Sequence, residues 1–143
     1  MFFSKALISA LSMALVATAA PTASEAQSVN VEARGELVAR TTGTFTWYNT
    51  GLGACGKTSN DGQLVVALNH ALFDPKTPGG NPNKNTLCGK KIRVHYQDKA
   101  VEVTVVDRCP GCSGSGDLDL SPAAFEKLAP LSRGVIHGGW DWL

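Results

Sequence analysis

Three aspartates, four cysteines and a few aromatic and hydroxyl side chains could carry chemistry in this chain. Asp119 lies in Asp117-Leu118-Asp119-Leu120-Ser121. In a strand, successive side chains point to opposite faces, so inward Leu118 and Leu120 turn Asp119 outward. An outward carboxylate can accept hydrogen bonds from ligand hydroxyls. It can equally satisfy nearby amides or favour the N-terminus of a helix opening two residues later. Asp107, between a β-branched run and Cys109, reads as a structural carboxylate bonded to backbone amides. Trp47 and Tyr48 alternate, so one should face a core and the other solvent. Trp140 and Trp142 share a face, where they could stack on sugar rings or close a core. His70 and His137 have no partner visible in the sequence. A Ser-His-Asp or Cys-His triad has no support, since the cysteines are expected to be oxidised.

The cysteines are Cys55, Cys88, Cys109 and Cys112. An even number in an oxidising compartment suggests two disulfides. Three pairings are possible, and spacing alone does not select one. Cys109-Pro110-Gly111-Cys112 could close on itself, which would leave Cys55–Cys88. That longer loop would contribute roughly 3.5–4 kcal/mol in the chain-entropy model. A four-thiolate zinc site is the competing use. With one CxxC and two isolated cysteines, no metal and no other cofactor is expected.

The oxidising compartment is itself read from the start of the chain. Lys5 precedes Ala6–Ala20, an uncharged run of small and apolar residues. This pattern fits a secretory signal peptide over residues 1–19, with cleavage after Ala19 or alternatively after Ala26. Residues 20–41 hold no aromatic and no clear period, and are expected to be a disordered leader. The mature protein is therefore expected to be extracellular. A formal net charge of +1, with 13 Lys+Arg against 12 Asp+Glu, argues against a nucleic-acid binder working by bulk charge. No later apolar run is long enough to span a membrane.

The elements that must position these side chains are short. Thr44–Tyr48 is β-branched and aromatic, a strand. Asn49–Asp61 is a glycine-rich loop. Leu64–Leu68 is a buried strand or a turn of helix. Asp74–Asn85, with three prolines and two glycines, is a long surface loop. Lys91–Tyr96 and Val101–Val106 alternate as strands around a turn at Gln97–Ala100. Ser121 and Pro122 are an N-cap and a first helical residue, and Pro130 stops that helix. Gly134–Leu143 reads as a closing strand. Lys76, Lys84, Lys90, Lys91, Arg93 and Lys99 face only Asp98 in their stretch, a mildly basic region or simply a solvated surface. Several short strands, one short helix and long loops suggest a small closed all-β barrel over residues 42–143.

The order of motifs carries a resemblance. Thr46-Trp47-Tyr48, Gly53-Ala54-Cys55-Gly56, Cys88-Gly89-Lys90-Lys91, Val106-Asp107-Arg108-Cys109-Pro110-Gly111-Cys112 and Asp117-Leu118-Asp119-Leu120-Ser121 occur in sequence. This resembles the six-stranded double-psi β-barrel of the expansin, barwin and rare-lipoprotein-A group. The four-cysteine form without a second domain is most similar to small fungal loosenins. The resemblance implies that Asp119 is the essential acid of a polysaccharide groove, lined also by Thr46 and Tyr48. Trp140 is added as a candidate stacking residue. It further implies Cys55–Cys88, leaving Cys109–Cys112. Expansins carry a second, carbohydrate-binding domain, whereas this chain stops at Leu143, so wall binding is expected to use the groove alone.

Most glycosidases need two carboxylates. In the hydrolytic relatives of expansins the second is an Asp in the first strand, but Thr44–Asn60 holds no Asp or Glu. In the transglycosylases of the group the acid follows an Asn-Gly-type turn. Here that position is Gln63, after Asp61-Gly62, and an amide cannot donate that proton, so only Asp61 could stand in, from a shifted loop. The expectation is a monomeric, non-hydrolytic, secreted protein that binds and loosens cellulose or a chitin-like polysaccharide. The alternative is an effector of a plant-associated fungus that acts on host proteins or defence, for example as an inhibitor of a papain-like cysteine protease. A lytic glycosidase is the third reading.

Overall fold

The computed structural model describes residues 40–143. The expected signal peptide lies outside the described residues, as does most of the expected leader. Six strands form: β1 Thr41–Trp47, β2 Val65–Asn69, β3 Lys91–Tyr96, β4 Lys99–Cys109, β5 Leu118–Leu120 and β6 Ile136–Trp142. They close into one barrel in the order β1-β5-β2-β4-β3-β6. The pairs β1/β5 and β2/β4 are parallel and the rest antiparallel, and this is a double-psi β-barrel. Closure leaves no free sheet edge among these strands.

Alternation dictates most of the barrel. In β3, Ile92 and Val94 are buried between exposed Lys91 and Arg93. In β4, Val101, Val103 and Val105 point inward in the same way. Phe45, Leu68, Leu118, Leu120 and Trp140 complete the interior with them. β1 begins at Thr41, earlier than Thr44, because Thr41–Phe45 pair with β6. The β3–β4 turn narrows to Gln97 and Asp98, with Tyr96 opposite Lys99. Gln97 accordingly takes the left-handed conformation at φ 53°.

After β5, Ser121 accepts a hydrogen bond from the Ala124 amide and opens the short helix Pro122–Glu126. A single helical turn, His70–Phe73, also follows β2. The proline-rich stretch beyond it winds through three 3-10 turns between Asp74 and Lys84. Buried Asn85 ties that stretch down by donating to the Phe73 carbonyl (2.7 Å) and to Thr77 Oγ1 (2.8 Å). Where the chain enters β5, Gly116 packs against the Thr42 carbonyl, and the Cβ of any other residue there would overlap it.

Candidate functional site

One row of paired residues crosses four neighbouring strands. Thr46 of β1 lies opposite Asp119 of β5, Asp119 opposite Ala67 of β2, and Ala67 opposite Asp107 of β4. Neighbouring strands are about 4.8 Å apart, so Asp107 and Asp119 sit roughly two spacings apart with only a methyl group between them. Ala67 is itself 2% exposed, because Tyr48 packs over it and the Cys109–Cys112 disulfide; this row of Thr46, Asp119, Ala67 and Asp107 is the candidate groove.

Asp107 reaches this face through a bulge. Val105, like Val103, points inward, so strict alternation would send residue 107 inward too. The register shifts between Val66 and Ala67, whose partners are Val105 and Asp107. Val106 is the extra residue, and a bulge of this kind re-aims the side chains beyond it. The Val106 carbonyl is taken by the Cys55 amide, so the disulfide loop above secures the bulge.

Thr46 Oγ1 donates to Asp119 Oδ1 at 2.9 Å, while Oδ2 faces Cys109 Sγ at 4.0 Å. The helix start is capped by Ser121 and not by Asp119. Burial holds the Asp119 carboxyl above the ordinary carboxylate range; the Thr46 hydroxyl opposes this, and the charge of Asp107 adds to it. Asp107 Oδ1 accepts from the amides of Ala54 and Arg108, each at 2.8 Å. Its structural role is therefore as the sequence suggests, and its charge also bears on the nearby Tyr48 phenol. Burial, and then the charge of Asp107 and a hydrogen bond to it, hold the Tyr48 phenol well above its usual range.

Asp61 is exposed and ties down the turn that follows β1. It accepts from the Thr50 amide (2.7 Å), Thr50 Oγ1 (2.9 Å) and Asn49 Nδ2 (2.9 Å). The Thr50 amide, then the two side chains, hold its carboxyl below the ordinary range. Gln63 accepts from the Asn60 amide through its side chain, and its carbonyl accepts from Ser121 Oγ. A separate concavity of about 330 Å³ lies over the proline-rich loop. It is bordered by Phe73, Pro82 and the Asp74–Arg108 ion pair, whose two N–H···O bonds are 2.6 and 2.7 Å.

Thr46, Tyr48 and Asp119 thus lie along one row of the barrel, and Trp140 does not. Its side chain is 1% exposed, among core residues, and its indole N–H donates to the Gly116 carbonyl at 2.9 Å. The expectation of Trp140 as a sugar-stacking residue is corrected. Barrel closure turns that strand position inward, and a ring buried there cannot meet a ligand. Trp142, two residues on, emerges at the end of β6 and is 41% exposed, edge-on to Trp140 at 5.3 Å. Trp47 leans on the main core and donates to the Leu131 carbonyl. Tyr48 thus takes the other side. His137 meets Thr44 Oγ1 at 3.2 Å. The His95–Asp141 contact of 2.7 Å joins β3 to β6; nothing in the local sequence marks it.

Both disulfides close, Cys55–Cys88 and Cys109–Cys112, so no cysteine thiolate is left to hold a metal. Among the described residues no cluster of three or more His, Cys, Asp or Glu is arranged for one.

A family model described as lytic transglycolase, of the double-psi β-barrel type, matches residues 40–139. The chain belongs to this double-psi β-barrel family. It is 44% identical over 100 residues to a papain inhibitor of Streptomyces mobaraensis, covering 68% of this chain and 66% of that protein. It is 38% identical over 88 residues to an Asp f 7 allergen homolog of Arthroderma benhamiae, of which it spans only 28%. The solved Streptomyces papain inhibitor superposes with a TM-score of 0.65 at 42% identity, covering 73% of this chain and 94% of that one. A variant expansin of Clavibacter michiganensis, solved with cellohexaose, superposes at 0.58 and 26% identity, covering 73% of this chain and 50% of that one.

Proposed function

We propose that this is a secreted, non-hydrolytic member of the family that binds a β-linked wall polysaccharide in the Thr46–Asp119–Ala67–Asp107 groove and loosens chain contacts without cleavage. The observation that carries the reading is Asp119. It is half-buried, oriented by Thr46, and paired opposite Ala67 in a row that also carries Asp107 and Tyr48. A carboxylate so placed can accept from two sugar hydroxyls, and charge-assisted bonds are roughly twice as strong as neutral ones. Tyr48 supplies the flat apolar wall that a sugar ring needs. The solved expansin with cellohexaose supports a glucan as ligand.

Absence of cleavage is argued from the second carboxylate. Asp107 lies near enough to Asp119 to raise its carboxyl, but one of its oxygens already serves two backbone amides. A nucleophile or base needs that freedom. The deciding experiment incubates purified protein with cellulose and chitin, then measures pull-down and soluble reducing ends. Binding without release of reducing ends is expected; sustained release would place the protein among lytic enzymes.

A second reading, inhibition of a papain-like cysteine protease, is favoured by the identity to the Streptomyces inhibitor. Titration against papain tests it, and no inhibition at micromolar protein would remove it.

A further inference from the structure

Among the described residues, Leu52 is the most exposed large hydrophobic side chain, at 75%. One exposed leucine is ordinary on a surface; the support beneath this one is not. Leu52 forms an isolated antiparallel bridge with Thr58. The Gly53 amide donates to the Lys57 carbonyl, the Ser59 amide to Gly51, and the Gly56 amide to Gly53. The Ala54 amide is held by Asp107 and the Cys55 amide by Val106, and Cys55 is bonded to Cys88. Gly53 lies so close to the Val106 carbonyl and the Asp107 Cβ that no side chain fits there. On the other flank, Gly51 has open space around it. The leucine therefore stands exposed on a braced tip, with glycine on either side of it and Gly53 seated against the β4 backbone.

We infer that the Gly51-Leu52-Gly53 tip is the wedge with which this protein engages a papain-like cysteine protease, its leucine entering an apolar side-chain pocket of the enzyme's substrate cleft. The inference rests on the second reading above and names the surface that would perform it. A braced loop loses little conformational freedom on docking, so most of the contact energy is retained as affinity. The same bracing separates an inhibitor from a substrate. Cleavage requires an extended strand laid across the cleft, and here the backbone groups of Gly51, Gly53 and Ser59 are already bonded within the loop. The tip can enter the cleft but cannot straighten in it while Cys55–Cys88 is intact.

The test is a titration of papain with purified wild-type protein and the variants Leu52→Asp, Leu52→Ala and Leu52→Met, each also assayed for melting temperature and cellulose pull-down. Removing an anchor of this size should weaken inhibition by at least about tenfold in Leu52→Ala, and more in Leu52→Asp, where a charge would enter an apolar pocket. Leu52→Met should stay within a few-fold of wild type. Melting temperature and cellulose binding should not move in any of them. After prolonged incubation with papain the wild-type loop should remain uncut, and cutting between residues 50 and 59 should appear in a variant with Cys55→Ala and Cys88→Ala, which lacks that bridge and keeps Cys109–Cys112. If wild type inhibits and Leu52→Asp inhibits equally, the wedge is elsewhere and the inference falls while the inhibitor reading stands. If wild type does not inhibit at all, the inhibitor reading falls and takes the inference with it. If the Leu52 variants lose cellulose binding instead, the tip is a wall of the sugar groove and the inference is overturned.

Discussion

Replacing Asp119 by Asn should separate the groove's ligand chemistry from the barrel's stability. The amide keeps the shape and can still accept from Thr46 Oγ1, now 2.9 Å from the carboxylate. It loses the charge and one acceptor. A hydrogen bond to a charged group contributes about 1.5–3 kcal/mol against about 0.5–1.5 for a neutral one. Polysaccharide binding should therefore weaken by about 1–2 kcal/mol, roughly 5- to 30-fold in Kd. Stability should move the other way. Burial raises the folded carboxyl above its ordinary 3.8. Between 3.8 and the folded value, the unfolded chain has released a proton that the native state still holds, so stability falls as pH rises through that window. Above it, wild type carries the full cost of a desolvated charge, and Asn carries none. At neutral pH Asp119→Asn should melt at or above the wild-type temperature, and any advantage should vanish below about pH 3.8, where both states are neutral in wild type as well. Calorimetry at about pH 3 and about pH 7, with cellulose pull-down on the same samples, reads both quantities. A clearly lower melting temperature at neutral pH with binding that tracks folded protein would show that Asp119 is an anchor of the fold and refute the site.

Four further outcomes are expected. Trp140→Ala should destabilise the barrel by about 3–5 kcal/mol, as for other buried aromatics, with polysaccharide binding per folded molecule unchanged; chemical denaturation and pull-down check this. Replacing Cys55 and Cys88 together by Ala should cost about 3.7 kcal/mol in urea unfolding, from loss of the closed loop between residues 33 apart. Gly116→Ala should destabilise by more than the ~1 kcal/mol typical of a point change, because the new Cβ overlaps the Thr42 carbonyl; a melting temperature within about 2 °C of wild type would contradict that packing. Tyr48 should ionise well above the usual phenol range. Stability should then fall as pH rises past about 10, where only the unfolded tyrosine ionises, and Tyr48→Phe should relieve that fall in alkaline melts and remove the late phase of a spectrophotometric titration.

Whatever depends on near neighbours along the chain was legible without the structure. Period-two alternation places Ile92, Val94, Leu118 and Leu120 inside and turns Asp119 out. The Ser121-Pro122 pair starts a helix because one residue caps an amide and the other has none to cap. The linear order of motifs sufficed to recognise a double-psi barrel, and with it the partners of the four cysteines.

Contacts between distant segments were decided only by the closed barrel. Trp140 and Trp142 share a face in the sequence, yet one fills the core and the other emerges at the strand end, because burial depends on where β6 crosses β1 and β3. His95 and Asp141 meet across 46 positions. Asp107 is the clearest case. Alternation alone points it inward, and the bulge that turns it toward Asp119 exists because β2 and β4 pair in parallel with one residue to spare. A parallel register is set by closure of the whole sheet and not by any local turn. The acid that faces outward was therefore readable from its own strand, while the second carboxylate and Tyr48 were brought near it only by the tertiary fold.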